Sequence, residues 1–203
     1  MAEHSRYSVS NKDAGVKNGI LKNKLGIKKQ EALEDAETIL LNDSYAHFFE
    51  LIKKGKVKFN LSMLFEIHRF FLGTLYSWAG KIRTIDISKE GMLFAPIKHI
   101  DSSLKNFEKI LKKNLLKEKD SIKQISEKLA IVHNEYNAIH PFRDGNGRTI
   151  RLFLDLIVWE SGYEPIDWGK KKQRDYFNAC IRGMSRKQKN MERIIYLGLK
   201  KRK

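Results

Sequence analysis

One short segment constrains the fold of this chain more than any other: residues 140–151, with the sequence HPFRDGNGRTIR. The segment that follows, residues 148–160, is apolar on nearly every side, which is typical of a helix buried at the centre of a domain. The glycines at 145 and 147 allow tight turns and remove side chains from the start of that helix. The sequence therefore predicts a polar loop that leads into a central buried helix.

Elsewhere apolar residues mostly recur at three- and four-residue steps, which indicates α-helices. We predict helices over these ranges: 28 to a break at 42–44, from there to Gly55, 60 or 62 to Gly80, 102–115, 121–137, and two between 174 and 199. Residues 82–94 alternate instead with a period of two, and residues 89–91 suit a turn. This segment is predicted to be a lone β-hairpin, with one unpaired edge unless something docks on it.

Length and composition indicate one domain rather than two, since the chain has 203 residues. We predict a polar N-terminal arm over residues 1–26 and a single domain over residues 27–203. The longest apolar segment, residues 150–159, is interrupted by Arg151 and Asp155, so no membrane span is predicted. Cys180 is the sole cysteine, and no secretory signal opens the sequence, so we predict a cytoplasmic protein.

The net charge of +16 allows two interpretations, a lysine-rich solvated surface or a surface that binds nucleic acid. The basic residues are mostly lysines spread along the chain, and aromatic residues do not alternate with them as in a base-stacking surface. We therefore favour the solvated surface and do not predict a nucleic-acid partner.

The polar loop carries groups that suit a nucleoside triphosphate. Residues 145–147 can turn backbone N–H groups toward an anion, and a helix N-terminus adds to that attraction. Arg148 and Arg151 can bind phosphate, although Arg151 could instead pair with Asp155 four residues on. His140 is a candidate general base.

Asp144 and His68 each allow two interpretations. Asp144 is a candidate Mg²⁺ ligand, because Mg²⁺ is commonly held by one or two carboxylates plus substrate phosphates, although it could merely cap the helix. His68 lies on the apolar face of a predicted helix, so we interpret it as a hydrogen-bonded core histidine rather than a ligand.

The segment resembles the signature of the Fic family, His-x-Phe-x-Asp/Glu-Gly-Asn-Gly-Arg-x-x-Arg. All eight specified positions match: His140, Phe142, Asp144, Gly145, Asn146, Gly147, Arg148 and Arg151. The resemblance extends over roughly residues 20–165, including residues 21–27, 78–80, 87–91 and 94–96. It implies an all-α Fic fold, a helical bundle around a central buried helix with one small β-hairpin flap.

The resemblance also implies an activity, the transfer of AMP from Mg-ATP to a hydroxyl of a target protein. His140 would then be the general base, Asp144 would hold Mg²⁺, and the nucleotide would be bound by Gly145, Asn146, Gly147, Arg148 and Arg151. The flap residues Ile87, Ser88 and Lys89 would dock the target by strand addition. Tyr176 and Asn178 are candidates for the adenine pocket.

The resemblance bears on reaction type and regulation as well. The related Doc branch, which transfers phosphate, has Lys where this chain has Gly147, so glycine favours AMP transfer. Many Fic proteins carry an inhibitory helix with the pattern Ser/Thr-x-x-x-Glu-Gly/Asn. Here only Ser62 and Glu66 have that spacing, and Ile67 follows, so a separate small antitoxin-like protein is the expected inhibitor. The alternatives are transfer of another phosphate-containing group, or a basic ATP-binding protein associated with nucleic acid.

Overall fold

The computed structural model describes residues 8–9, 15–17, 19–90 and 92–202. Half of the predicted arm, and Gly91 of the predicted turn, lie outside them. Within these ranges the chain is mostly helical, as predicted, and no helix there is long and apolar enough to cross a membrane. The described α-helices are α1 (Gln30–Lys53), α2 (Leu61–Leu72), α3 (Ile97–Asn114), α4 (Ile122–Ile139), α5 (Asn146–Glu160), α6 (Gln173–Met184) and α7 (Lys189–Gly198).

Helix α1 is continuous, so the break predicted at residues 42–44 is wrong. Ser44 is buried, and its hydroxyl donates to the Leu40 carbonyl one turn earlier at 2.7 Å. The Ser44 hydroxyl therefore has its hydrogen-bond partner within α1 and does not cap a new helix. Because α1 packs along both α2 and α5, burial of its apolar face outweighs the weak helix propensity of Asn, Asp and Ser.

Capping side chains set two of the helix starts as the sequence predicted. The Asn60 side chain accepts a hydrogen bond from the Met63 N–H at 3.0 Å, and Ser121 forms a capping box with Gln124.

Two other helix ends differ from the prediction. Helix α2 ends at Leu72, well before Gly80, because residues 73–80 form turns that bury Leu75 and Tyr76. Helix α3 begins at Ile97 rather than near residue 102, because the Asp86 side chain accepts a hydrogen bond from the Ile97 N–H at 2.8 Å.

Helix α5 lies at the centre of the core and packs against α1, α2 and α4, as predicted for a central buried helix. Leu152, Phe153, Leu154 and Leu156 are all fully buried on it. A smaller apolar cluster lies where α1 meets α2, and Ile20, Leu21 and Ile27 pack against this cluster. The last part of the predicted arm is thereby attached to the helices.

The strands form two small sheets. The predicted hairpin consists of β4 (Ile87–Lys89) and β5 (Met92–Leu93), and β1 (Ser8–Val9) pairs antiparallel with β4 to give the order β1-β4-β5. The second sheet pairs β2 (Val16–Lys17) with β3 (Ile20–Leu21). The sequence did not predict β1, β2 or β3.

The first hairpin strand is shorter than predicted, because the segment before it does not pair with another strand. It contacts residues 140–145, the loop between α4 and α5, which we call the motif loop. The Arg83 N–H donates to the Pro141 carbonyl at 2.9 Å. We call β4, β5 and their connection the flap.

Candidate active site

A cavity of about 1090 Å³ lies between the motif loop, the flap and helix α6. Seven of the residues predicted for the site line it: His140, Asp144, Gly145, Gly147, Arg148, Arg151 and Lys89. The opposite wall is formed by Trp168, Tyr176, Phe177, Asn178 and Cys180. Ile87, Ser88 and Asn146, which were also predicted to belong to the site, do not line the cavity.

His140 ends helix α4 in the left-handed conformation, with φ of 51°. Its ring Nδ1 lies 3.0 Å from the Asn137 carbonyl, and its ring stacks on Phe94 with centroids 3.7 Å apart. A carbonyl only accepts hydrogen bonds, so Nδ1 carries the proton and Nε2 is the basic nitrogen. Burial lowers the pKa of His140 from 6.5 to about 3, so the imidazole is neutral at pH 7.

Two buried side chains, His68 and Phe142, hold the motif loop in place. The Gly80 N–H donates to His68 Nδ1 at 2.8 Å, so Nε2 carries the proton and donates to the Asp144 carbonyl, also at 2.8 Å. Phe142 is fully buried and stacks on the His68 ring with centroids 3.7 Å apart. These contacts confirm His68 as a hydrogen-bonded core histidine, and burial lowers its pKa to about 4.

Asn146 does not line the cavity, because its side chain belongs to the interior of the loop. Its side chain is fully buried, accepts from the Phe142 N–H at 2.9 Å and donates to the Phe142 carbonyl at 2.8 Å. The amide therefore closes the loop on itself and does not point at a ligand. The backbone N–H groups at the start of α5 have no acceptor within the helix, and they remain the predicted phosphate donors.

The two glycines of the loop have different roles. Gly145 has φ of 81°, and a Cβ there would lie 2.7 Å from Leu72 Cδ1. Both the backbone conformation and the close packing therefore require glycine. Gly147 lies inside α5 and does not form a tight turn, and a Cβ there would meet only Arg151 Nη1, at 3.7 Å. Glycine at 147 instead keeps that part of the cavity wall bare.

Arg148 is held by a buried carboxylate that the sequence analysis missed. Glu37 of α1 is 2% exposed, and its Oε2 accepts from Arg148 Nη1 at 2.5 Å. Its Oε1 accepts from the Tyr76 hydroxyl, also at 2.5 Å, and Arg148 Nη2 lies 3.4 Å from Asp144 Oδ1. The sequence held one signal for Glu37: an acidic residue lies on the apolar face of α1, four positions after Leu33.

Arg151 faces the cavity rather than Asp155. Its guanidinium carbon lies 5.2 Å from the centroid of the Tyr176 ring, which forms the opposite wall. Asp155 accepts from the Tyr45 hydroxyl at 2.7 Å and from Trp168 Nε1 and the Ile166 N–H, each at 3.0 Å. Within the described ranges no ion pair joins Arg151 to Asp155, so the structure does not support that pairing, and phosphate binding by Arg151 stays a prediction.

The wall opposite the motif loop is anchored to the core by a second buried histidine. His133 Nε2 lies 2.8 Å from the Tyr176 hydroxyl, and burial lowers the pKa of His133 to about 4. Tyr176 and Asn178, the candidates for the adenine pocket, both line the cavity. Cys180 is a buried free thiol, and burial raises its pKa to about 11.

The flap covers one side of the cavity. Lys89 Nζ lies over the Phe177 ring of α6, 5.9 Å from its centroid. Ile87 is buried, so of the three residues predicted to dock a target only Lys89 reaches the cavity. The outer edge of β4 is already paired, because Ser8 lies opposite Ser88 and Val9 opposite Ile87. A target strand on that edge would have to displace β1.

Comparisons with known proteins agree with this geometry. Residues 58–158 match the model of the Fic/DOC family. A Sinorhizobium fredii protein named "Probable protein adenylyltransferase y4lH" is 30% identical over 167 residues, which cover 82% of this chain and 84% of the relative. The chain belongs to the Fic/DOC family. Protein adenylyltransferase VbhT of Bartonella schoenbuchensis is 35% identical over 165 residues, which cover 80% of this Fic chain but only 34% of VbhT.

Solved Fic domains share the fold. The N-terminal Fic domain of a VirB-translocated Bep effector protein from Bartonella quintana, solved with bound ADP, has a TM-score of 0.74 and 25% identity. The match covers 90% of this chain and 92% of that one. The BepC protein of Bartonella tribocorum, solved with bound AMPPNP, has a TM-score of 0.73 and 25% identity, with 90% and 93% covered. These matches confirm the predicted Fic fold.

Proposed function

We propose that this protein is an adenylyltransferase that moves AMP from ATP to a Tyr, Thr or Ser hydroxyl of a target protein. One observation carries the proposal: His140, Arg148 and Arg151 line the same cavity. The His140 imidazole is neutral and can accept a proton, and the two arginines follow it on α5 and can bind phosphate. Relatives named protein adenylyltransferase, and similar structures with bound ADP and AMPPNP, support the same activity.

In the proposed reaction the target hydroxyl oxygen attacks the α-phosphorus of ATP. A new oxygen–phosphorus bond forms, the bond from the α-phosphorus to the bridging oxygen breaks, and pyrophosphate leaves. The hydroxyl proton passes to His140 Nε2. Arg148, Arg151 and the N–H groups at the start of α5 would hold the triphosphate and the leaving pyrophosphate by charge and position. The bound triphosphate would also raise the pKa of His140, because nearby negative charge favours the imidazolium.

Mg²⁺ fits the cavity only together with the nucleotide. Asp144 is 3% exposed and lines the cavity, and the described part of the chain holds no cluster of three or more His, Cys, Asp or Glu side chains suited to a metal. One carboxylate with phosphate oxygens is a common arrangement for Mg²⁺. In this proposal Asp144 would hold Mg²⁺, which neutralises phosphate charge when bound.

Target docking and inhibition belong to the same proposal. The target would present an extended segment to the flap residues Ile87, Ser88 and Lys89. A small antitoxin-like protein would supply an inhibitory glutamate to Arg151, whose described contact is the Tyr176 ring. Glu66 belongs instead to the exposed face of α2 and accepts from the Ser62 hydroxyl at 3.2 Å. We propose the cytoplasm as the compartment.

The test is incubation of the protein with ATP labelled at the α-phosphate and, separately, at the γ-phosphate, together with a cell lysate. Adenylylation transfers only the α-label to protein, and mass spectrometry of the labelled protein finds an added AMP. Transfer of the γ-label would mean phosphate transfer instead. Salt-dependent DNA binding without transfer of either label would favour the nucleic-acid alternative.

A further inference from the structure

Arg83 lies between α2 and the flap, and its side chain is buried among backbone carbonyls. The residue is 4% exposed. Its Nε donates to the His140 carbonyl at 2.9 Å and its Nη1 to the Ile85 carbonyl at 2.7 Å. Its Nη2 donates to the carbonyls of Ala95 and, at 3.4 Å, Ile139. One planar guanidinium thus joins the end of α4 to the segments just before and just after the flap.

This position suits a cation, because the last carbonyls of a helix have no intrahelical donor and carry the negative end of the helix dipole. Arg83 supplies donors to the carbonyls of Ile139 and His140 and, through its own backbone N–H, to the Pro141 carbonyl at 2.9 Å. Three consecutive carbonyls around the proposed base are therefore bound by one residue.

The backbone of His140 needs such support. A left-handed conformation is unfavourable for an ordinary residue, and it persists where the surroundings hold it in place. Arg83 also binds Ala95, the neighbour of Phe94, and Phe94 stacks on the His140 ring at 3.7 Å. The same guanidinium therefore fixes the backbone of the imidazole and the backbone of the ring that packs on it.

We infer that Arg83 is a positioning residue that holds the His140 imidazole at the angle needed for transfer without touching ATP. The inference rests on the proposed function, in which His140 is the general base. Arg83 is absent from the residues that line the cavity, whereas Arg148 and Arg151 line it. Lysine is a poor replacement, because its single ammonium group cannot donate at once to carbonyls that lie on different sides of the guanidinium.

The experiment compares Arg83→Met and Arg83→Lys with the wild-type protein, measuring kcat for transfer, the Kd for ATP and the thermal unfolding midpoint. A misplaced base costs about 100-fold in rate. We expect that loss in kcat for Arg83→Met, a smaller loss for Arg83→Lys, and a Kd for ATP within about twofold of wild type, because the phosphate-binding groups lie on α5.

The matched control is Leu111→Ala, a buried position near the far end of α3, about 21 Å along the helix from its first residue, Ile97. It lowers the unfolding midpoint but should leave kcat of the folded protein unchanged. Wild-type kcat in folded Arg83→Met would overturn the inference, and so would a Kd for ATP that rises in proportion to the loss of kcat. If Arg83→Met does not fold, the same two outcomes in Arg83→Lys decide.

A readout without turnover separates this inference from the proposed function. In Arg83→Lys the NMR signals of the His140 ring should shift, while those of His47, which is exposed on α1, should not. Unchanged His140 signals would refute the positioning role. Absence of transfer in the wild-type protein, by contrast, would refute the proposed function and leave the NMR result to decide the role of Arg83.

Discussion

Glu37 and Arg148 lie 111 residues apart in the sequence, yet their charged groups are 2.5 Å apart in the fold. Glu37 is buried on α1, and Arg148 is at the start of α5 with 18% of its side chain exposed. The carboxylate holds the arginine in place before any phosphate binds. Helix α1, which is distant from the motif in sequence, is therefore part of the proposed nucleotide site.

Replacing Glu37 with Ala should weaken both the fold and ATP binding. Removal of one partner of a buried ion pair costs about 3 kcal/mol of unfolding free energy, because the other charge stays buried. Arg148 also loses the group that orients it, so we expect the Kd for ATP to rise about tenfold, which calorimetry measures. Tyr76→Phe is the control: it removes the hydrogen bond from the Tyr76 hydroxyl to Glu37, costs about 1 kcal/mol, and should leave the Kd unchanged.

His140→Ala should abolish transfer and spare nucleotide binding. General-base catalysis contributes roughly 10²–10⁴ in rate, and the groups proposed to bind phosphate lie on a different helix. Single-turnover transfer and the Kd for an ATP analogue check the two parts. His47→Ala, an exposed histidine on α1, is the control and should behave as wild type. A His140→Ala protein with wild-type transfer would remove the general-base role.

Arg151→Ala and Asp155→Asn should have separate effects. Loss of a charged hydrogen-bond donor to phosphate costs about 1.5–3 kcal/mol, so Arg151→Ala should raise the Kd for ATP about 10- to 100-fold. Asp155→Asn disturbs the bonds from Tyr45, Trp168 and Ile166, so it should lower the unfolding free energy and leave the Kd nearly unchanged. Equal losses of ATP affinity in the two variants would mean that the residues act as a pair.

Removing residues 1–14, which include β1, should increase transfer to a protein target several-fold. β1 pairs with Ile87 and Ser88, so it covers the edge of β4 that a target strand would use. Hydrogen exchange at residues 87–89 should become faster in the shortened protein. Removal of residues 1–6 alone keeps β1 and is the control. Transfer that does not change on removing residues 1–14 would show that targets do not use this edge.

Acid should destabilise the fold below pH 6.5. Burial lowers the pKa of His68 and His133 to about 4 and that of His140 to about 3, so the unfolded chain binds more protons between those values and 6.5. Each histidine then removes about 1.4 kcal/mol of stability per pH unit of acidification. Asp155 acts oppositely, since burial raises its pKa from 3.8 to about 7 and the folded state takes up its proton first.

Urea unfolding at pH 7, 6 and 5 measures the net effect. Unfolding should take up about two protons, because the three histidines each gain one and Asp155 loses one. His68→Gln should flatten the pH dependence by about one proton, even though it lowers stability at pH 7. A stability that is constant from pH 7 to pH 5 would contradict the lowered pKa values.

The motif residues and the central helix could be predicted because their information is local. Gly145 has a positive φ, which glycine adopts without strain, and the apolar residues of α5 repeat at a spacing that is typical of a buried helix. Helix ends were predicted where a capping side chain sets them, as at Asn60 and Ser121. The break predicted at residues 42–44 failed because α1 packs on two helices at once, which no local pattern records.

The sequence by itself determined the family motif, the central helix and the candidate base, since each depends on neighbours within a few turns. Only the tertiary structure decided that Glu37 holds Arg148, that Arg83 binds the carbonyls around His140, and that β1 covers the edge of β4. Those contacts join residues that are distant along the chain. A buried charge or an open strand edge must find a partner, but which partner it finds depends on how the helices pack.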